Sequence, residues 1–372
     1  METKKKVSAI GIYIHIPFCE KKCPYCDFYS VANNESLMDI YTNAVCLSIK
    51  NWSKKITKEV DTIYFGGGTP SLIGETRLNK IIQTIAKHFI LKNPEITIEI
   101  NPTKGKLLDF SYLKSIGINR LSVGLQSTNK DELKTLGRNH NANDAKILIS
   151  SAQKAGIDNI SLDLMIAIPL QTNKSLKASI EFCKNSDVSH ISAYMLKIEP
   201  GTPFYNYKST LKLPNEEDTV HLYLTACEAL EKYGYKQYEI SNFSISNMES
   251  KHNLKYWNCD EYLGIGPSAH SFINKKRFYY PKSINTFINE NKIIYDSQGG
   301  DITEYSMLRL RLNKGLENKE FNKKFSCNIP ESYYAKALKY KNTGLIICTD
   351  NSIKLTRKGF LVSNELIAEI IL

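Results

Sequence analysis

Three cysteines stand within eight residues near the start of the chain: Cys19, Cys23 and Cys26 in the stretch YIHIPFCEKKCPYCDFYS. Thiolates at this C-x3-C-x2-C spacing are metal ligands in prospect. A structural zinc ion takes four tetrahedral ligands, and the neighbours that could complete the set are poor: Asp27 abuts the last cysteine, and His15 belongs to the run before the loop. Three buried free thiols are the plain alternative. The lysines and the Cys-Pro-Tyr-Cys sequence around them describe a loop instead. A cluster of four irons held by three thiolates leaves one iron with no protein ligand. The amino and carboxylate groups of a small molecule can chelate that iron.

A second set of chemical residues follows an apolar run: Gly66-Gly67-Gly68-Thr69-Pro70. Three glycines let a backbone approach a ligand closely and offer it peptide groups. The Gly-Lys-Ser/Thr ending of a phosphate-binding loop is missing, so phosphate cradling is not supported. Further on, Glu99-Ile100-Asn101-Pro102, Gln126 and Asp163 each stand in or at the end of an apolar run.

Those runs are the elements that must position the chemistry. GIYIHIP, DTIYFGGG, ITIEINP, RLSVGLQS, ISLDLMIAIP and HISAYMLKIEP read as strands. Between them ESLMDIYTNAVCLSIKNW, TRLNKIIQTIAKHFI, DFSYLKSIGI, NANDAKILISSAQKAGI and KSLKASIEFCKNS read as helices. Strand then helix, six times, predicts a parallel sheet covered by helices. The runs look near-continuously apolar, as strands covered on both faces would. Ligands of such sheets and barrels sit at the carboxyl ends of the strands, which gathers the cysteines, the glycines and the polar strand ends at one mouth.

The pattern divides the chain into residues 1–212, an α/β unit of this kind; 213–300, an extension with a Gly-, Tyr- and His-rich stretch; and 301–372, a C-terminal lobe. In the lobe SMLRLRLNKGL and SYYAKALKYKNTG read as helices. LIICTDNSIKLT reads as two short strands about an Asp-Asn turn, and FLVSNELIAEII as a last helix. Helices followed by a small hairpin predict a winged-helix-like lobe. It carries no basic recognition helix, so packing or protein contact is favoured over DNA.

Composition suits a globular protein of 372 residues, 42% hydrophobic and 23% charged. The METKKK start is basic, but its apolar run is short and has no small-residue cleavage site, so no signal peptide is expected. No run approaches the roughly 18–20 apolar residues that span a bilayer. Nine cysteines without a secretory leader imply a reducing, cytoplasmic setting. The other six, Cys46, Cys183, Cys227, Cys259, Cys327 and Cys348, are spaced without pattern and mostly read as small core residues. The formal net charge of +11 comes from scattered lysines, with no aromatic-interleaved nucleic-acid module. Peripheral membrane contact and a homodimer are both compatible with it.

The C-x3-C-x2-C loop with an aromatic residue, Tyr25, before its last cysteine resembles the signature of the radical SAM enzymes. GGGTP resembles their glycine segment that binds the methionine amino group. YIHIPFC, FGGGTPS, EINP, RLSVGLQS, LGRNH, the Asp of SLDLM, and YEISNF together resemble one branch of them: oxygen-independent coproporphyrinogen III oxidase and the related heme chaperones. The likeness runs over essentially the whole chain. It implies a partial (β/α)6 barrel with smaller elements after it, and a [4Fe–4S] cluster on Cys19, Cys23 and Cys26 with S-adenosyl-L-methionine (SAM) on the free iron. It implies first-SAM contacts at Tyr13, Gly67 and Glu99, and a second set at Tyr25, Gly68, Thr69, Gln126, Arg138 and Asp163. The superfamily opens the sulfonium reductively to a 5′-deoxyadenosyl radical. Here SAM cleavage and a structural or switching use of SAM are both compatible.

Two features separate the branches. The oxidase has a fourth cysteine two residues past the triplet, where this sequence has Phe28, and a long segment before the triplet, where this sequence has 18 residues before Cys19. His252-Asn253-Leu254-Lys255-Tyr256-Trp257 matches the H-N-x-x-Y-W of the chaperones, associated with heme there. This implies heme contact at His252, Tyr256 and Trp257, imidazole being an axial ligand and the rings a flat apolar surface. The plainer alternative is a hydrogen-bonded His252 and a Trp257 that plugs the barrel. His270 is open to a heme role or a structural one. The expected function is a heme chaperone passing heme to acceptor apoproteins; the alternative is oxidative decarboxylation of coproporphyrinogen III. One departure stands out: the family's two glycines in D-L-x-x-G-L-P-G-Q-T are Ala167 and Leu170 here, which predicts a loop of different shape if those positions need positive φ.

Overall fold

The structure is a computed structural model that describes residues 9–32, 34–103 and 108–372. The basic start considered above as a leader falls in residues 1–8, outside them. Six strands follow one another in space as in sequence: β1 (Ile10–Ile16), β2 (Val60–Gly67), β3 (Leu91–Ile100), β4 (Arg120–Gln126), β5 (Asn159–Ile166) and β6 (His190–Met195). Every neighbouring pair is parallel. Helices Glu35–Ser53, Gly74–His88, Phe110–Ser115, Ala142–Lys154 and Asn173–Asn185 make the crossovers. Their starts are set locally. Asn34 and Asp109 accept from the third helical N–H, and Asn141 and Thr172 form reciprocal capping boxes with Asp144 and Ser175. Each satisfies amides that the helix itself cannot.

The strands are not apolar on both faces as their sequence suggested. They alternate, as the pleat requires. Ile12, Ile14, Ile63, Phe65, Ile96, Ile98, Leu121, Val123, Ile160, Leu162 and Ile191 pack in one apolar core with the helices. The residues between them are polar: Thr62 and Tyr64; Glu95, Thr97 and Glu99; Arg120 and Ser122; Ser161 and Asp163; His190 and Ser192. All but half-buried Glu99, Asp163 and Ser192 are buried. The inside of the partial barrel is therefore polar along its height.

The sheet stays open and grows at both edges. Tyr262–Ile265 adds a seventh parallel strand on the free edge of β1, and His270–Ile273, Lys276–Tyr279 and Ile294–Gln298 continue antiparallel beyond it. Asn242–Ser244 pairs antiparallel with β6. A second apolar core holds the C-terminal elements together, among them Leu310, Leu316, Phe321, Ile353, Phe360 and Ile370, and draws Cys259, Tyr262 and Phe272 from the extension. Its small sheet contains the hairpin Ile346–Thr349 and Ser352–Leu355, turning at Asp350-Asn351 as the sequence indicates. All three helices read in the lobe differ from their patterns. The one read through residue 316 ends at Arg309, the one read through Gly344 ends at Leu338, and the last is broken at Val362 into Arg357–Leu361 and Ser363–Ile371.

Candidate functional site

At the carboxyl ends of the strands lies a cavity of about 840 Å3. Cys19, Cys23 and Cys26 rim it, half-buried, on the loop after β1. The Cys26 thiol is pushed up, first by burial and then by the neighbouring Cys23 and Cys19 thiols, with the Phe28 amide opposing. Among the described residues no three His, Cys, Asp or Glu side chains are close enough for one metal ion. A four-iron cluster differs from a single ion in taking each thiolate on a separate iron, so ligands spread around a cavity rim fit it.

The cysteine loop is tied to the barrel by a chain of hydrogen bonds running through four of the motifs. The Arg138 guanidinium donates to the Tyr25 hydroxyl, from Nε at 3.1 Å and Nη2 at 2.7 Å, and from Nη1 to Asn101 Oδ1 at 2.6 Å. Asn101 Nδ2 donates to Thr69 Oγ1 at 3.1 Å, and Thr69 Oγ1 donates to Cys19 Sγ at 3.8 Å. The glycines around the chain are sterically required. A Cβ at Gly124 would come within 2.6 Å of Asn101 Oδ1, and one at Gly68 within 2.6 Å of the Phe18 carbonyl oxygen. Gly137 has φ +69 and backs onto the Pro24 ring.

Two carboxyls stand inside. Glu99 accepts from Tyr64 Oη at 2.9 Å and from the Gly67 amide at 3.1 Å; burial drives its pKa up to about 7, with the Asp163 charge adding to the rise. Asp163 accepts from Ser122 Oγ at 3.2 Å, and burial raises it to about 6. Gln126 ends β4 with φ 66, a conformation that costs a non-glycine residue, and its Oε1 accepts from Tyr194 Oη at 2.8 Å.

Of the residues singled out from the sequence as SAM contacts, Tyr25, Gly67, Gly68, Thr69, Glu99, Gln126, Arg138 and Asp163 all line this cavity. Tyr13 stands behind it. Its hydroxyl pairs with His15 Nδ1 at 3.1 Å, and His15 Nε2 reaches the Tyr29 carbonyl at 3.0 Å, bracing the far end of the cysteine loop. Tyr64, Arg120, Ser122, Ser192 and Tyr194, not singled out from the sequence, line the same cavity, as do Asn101 of the EINP motif and Asn253 of the H-N-x-x-Y-W segment. The signal was present for most of them: in EITIEIN, RLSVGLQ and HISAYM every second residue is polar, small or tyrosine.

The H-N-x-x-Y-W segment forms the short helix Lys251–Trp257 near the opposite end of the barrel. His252 is buried. Its Nδ1 bonds Thr62 Oγ1 at 2.8 Å and its Nε2 bonds Tyr256 Oη at 2.9 Å, and burial lowers its pKa to about 3. Glu95 accepts from the Lys251 and His252 amides, and Lys255 pairs with Asp61 at 2.7 Å. Tyr256 and Trp257 are half-buried, and neither reaches the cavity; Asn253 alone of the six does. His270 is exposed, away from the cavity, its ring stacked on Tyr279.

Ala167 and Leu170 adopt φ 59 and 70. The loop therefore keeps the positive φ that the missing glycines would have supplied, contrary to the change of shape expected. Gln171 holds it there: its Oε1 accepts from the Ala167 amide at 2.7 Å and its Nε2 donates to the Met165 carbonyl at 2.9 Å.

A partial parallel barrel with three thiols and a glycine segment at its mouth defines a radical SAM protein, and residues 13–183 match the model of the radical SAM superfamily. Residues 301–362 match that of the HemN C-terminal domain. The chain is 36% identical to the heme chaperone HemW of Buchnera aphidicola (from Acyrthosiphon pisum), covering 96% of this chain and 97% of that one. It is 35% identical to the heme chaperone HemW of Bacillus subtilis, covering 95% and 97%. It belongs to the HemW family. Its fold is similar to that of coproporphyrinogen III oxidase (HemN) from Escherichia coli, with a TM-score of 0.84 at 19% identity over 98% of this chain and 90% of that one.

Proposed function

We propose that this chain is a cytoplasmic heme chaperone that carries a [4Fe–4S] cluster and SAM and hands heme to acceptor apoproteins. Cys19, Cys23 and Cys26 hold the cluster, and SAM closes the iron they leave free. When bound, the pair supplies one-electron chemistry at the sulfonium. The rest is done by the chain's own groups. Glu99, fixed by Tyr64 and the Gly67 amide, presents an acceptor beside the glycine segment. Arg138 and Asn101 keep Tyr25, and with it the cysteine loop, at one distance from the barrel. Gly67, Gly68 and Thr69 lay bare a backbone edge for the ligand, and Gln126 and Asp163 offer further polar contacts.

The observation that carries this reading is the rim of three half-buried thiols on a cavity large enough for a nucleotide, in a chain similar along nearly its whole length to proteins named as heme chaperones. At the oxidase's fourth-cysteine position stands Phe28, 60% exposed on the cavity rim. An apolar, exposed ring there suits a flat macrocycle better than it suits a cluster ligand. A ligand role for His252 requires Thr62 or Tyr256 to give up its hydrogen bond, which ties any heme contact at that helix to its movement.

The test uses anaerobically reconstituted full chain. Hemin should produce a Soret band, and Cys19→Ala should abolish the brown cluster absorbance. Retention of four irons per chain in Cys19→Ala would remove the ligand assignment, and accumulation of protoporphyrinogen from coproporphyrinogen III, SAM and reductant would replace the chaperone with the oxidase.

A further inference from the structure

The hydrogen-bonded chain behind the cysteine loop starts and ends on that loop. Tyr25 lies between Cys23 and Cys26 in sequence, and the far end reaches Cys19. At its centre is Arg138. A guanidinium has donors and no acceptor, so it fixes which way every bond in the chain points. Nη1 donates to Asn101, which must turn its Oδ1 to receive it. Asn101 then faces Thr69 with Nδ2 and donates there. Thr69 Oγ1, having accepted, directs its own proton at Cys19 Sγ. The other arm behaves alike. Tyr25 Oη accepts from both Nε and Nη2, and its proton is left for the Cys23 thiol, with which it shares a hydrogen bond.

Backbone holds the first arm in place. Thr69 is buried; its amide donates to the Phe18 carbonyl at 2.8 Å, and the Gly68 amide donates to the Ile16 carbonyl at 2.8 Å. The hydroxyl and the Cys19 sulfur are thus carried on adjoining backbone. A neutral thiol is a weak acceptor and gains little from such a donor. A thiolate gains more, since a hydrogen bond to an ionised acceptor is about twice as strong. Reduction of a [4Fe–4S] cluster adds one electron and makes its thiolates richer in charge, so donors aimed at them favour the reduced form.

We propose that Arg138 steers two hydroxyl donors, Thr69 onto Cys19 and Tyr25 onto Cys23, and that these donors make the cluster easier to reduce. Arg138 and Asn101 are then positioning residues that act through the two hydroxyls. This rests on the cluster placed on the three cysteines above and is independent of heme.

The full chain with its cluster is titrated with dithionite through redox mediators, and the reduced cluster is followed by electron paramagnetic resonance. SAM is left out, because the same residues line its cavity. Thr69→Val and Tyr25→Phe each keep the size of the side chain and remove one hydroxyl; Thr69→Ser keeps the donor. Thr69→Val and Tyr25→Phe should each weaken the reduction equilibrium about tenfold, a fall in midpoint potential of about 59 mV for one electron. Thr69→Ser should stay close to wild type, which a packing role for the Thr69 methyl would not allow. Unchanged midpoints in both hydroxyl-free variants, with the cluster retained, overturn the proposal. A fall in Thr69→Ser as large as that in Thr69→Val assigns the effect to the methyl and overturns it too. Should the variants fail to take up iron, wild type decides: exchange into D2O should shift its iron–thiolate Raman bands, and bands that stay in place overturn the proposal. Wild type that takes up no iron removes the cluster reading itself.

Discussion

Glu99 is the residue whose surroundings most constrain its chemistry. Its pKa is raised from 4.5 to about 7 by burial, with the Asp163 charge next. The folded chain therefore binds a proton between about pH 4.5 and 7 that the unfolded chain has already released, so this residue's contribution to stability falls as pH rises through that window. Glu99→Gln removes the titration and keeps the shape. The variant should gain stability relative to wild type between pH 4.5 and pH 8, by on the order of 3 kcal/mol at most. Urea denaturation of the chain without its cluster at the two pH values checks this, and a pH-independent difference would mean that Glu99 ionises as freely as in water. His252 answers to a different balance. Replacing it by Ala leaves Thr62 and Tyr256 unpaired in a dry interior, which should cost about 2–4 kcal/mol, measured as a fall in the denaturation midpoint. A smaller loss would mean that the helix does not seal the barrel.

At the scale of elements, the turn after β5 shows how a loop survives the loss of its glycines. Ala167 and Leu170 pay a left-handed conformation with no compensating side-chain freedom, and Gln171 keeps them there. Ala167→Gly and Leu170→Gly should each stabilise the fold, by roughly 1 kcal/mol, read from chemical denaturation, with SAM affinity unchanged; Gln171→Ala should loosen the loop and lower stability. Each outcome is independent of the cofactors. This loop also marks how far local sequence reaches. The two substitutions were plain in the sequence, but their consequence depended on a side chain one residue farther on whose two hydrogen bonds no spacing rule announces. The same is true of the strands. Their number, order and direction were legible because strand and helix periods differ. Their polar inner faces are masked in the sequence, because isoleucine and leucine dominate each run and the alternate Glu, Ser, Arg and Asp are few in any one of them.

For the whole molecule, the second core decides what can be separated. Cys259, Tyr262 and Phe272 of the extension pack with the C-terminal elements, Arg277 pairs with Glu304 at 2.5 Å, and Lys324 donates to the carbonyls of Asn258 and Cys259. A chain ending at residue 300 would expose those aromatics next to the strand that extends the barrel sheet. It should lose cooperative unfolding or become insoluble. A soluble truncation with an unchanged melting temperature would make the lobe an appendage. No helix among the described residues is long and apolar enough to cross a membrane.

By itself the sequence settled the cysteine spacing, the six strand–helix units and the family to which the motifs point, since these follow from periods and short-range patterns along one chain. Only the tertiary structure showed that Tyr25, Arg138, Asn101, Thr69 and Cys19 form one hydrogen-bonded chain, that His252 faces the interior of the barrel with both ring nitrogens engaged, and that Arg120 lies buried where its charge acts on Glu95, Glu99 and Asp163. Each of these depends on groups brought together from distant parts of the chain, where burial, not residue type, decides what a side chain can do.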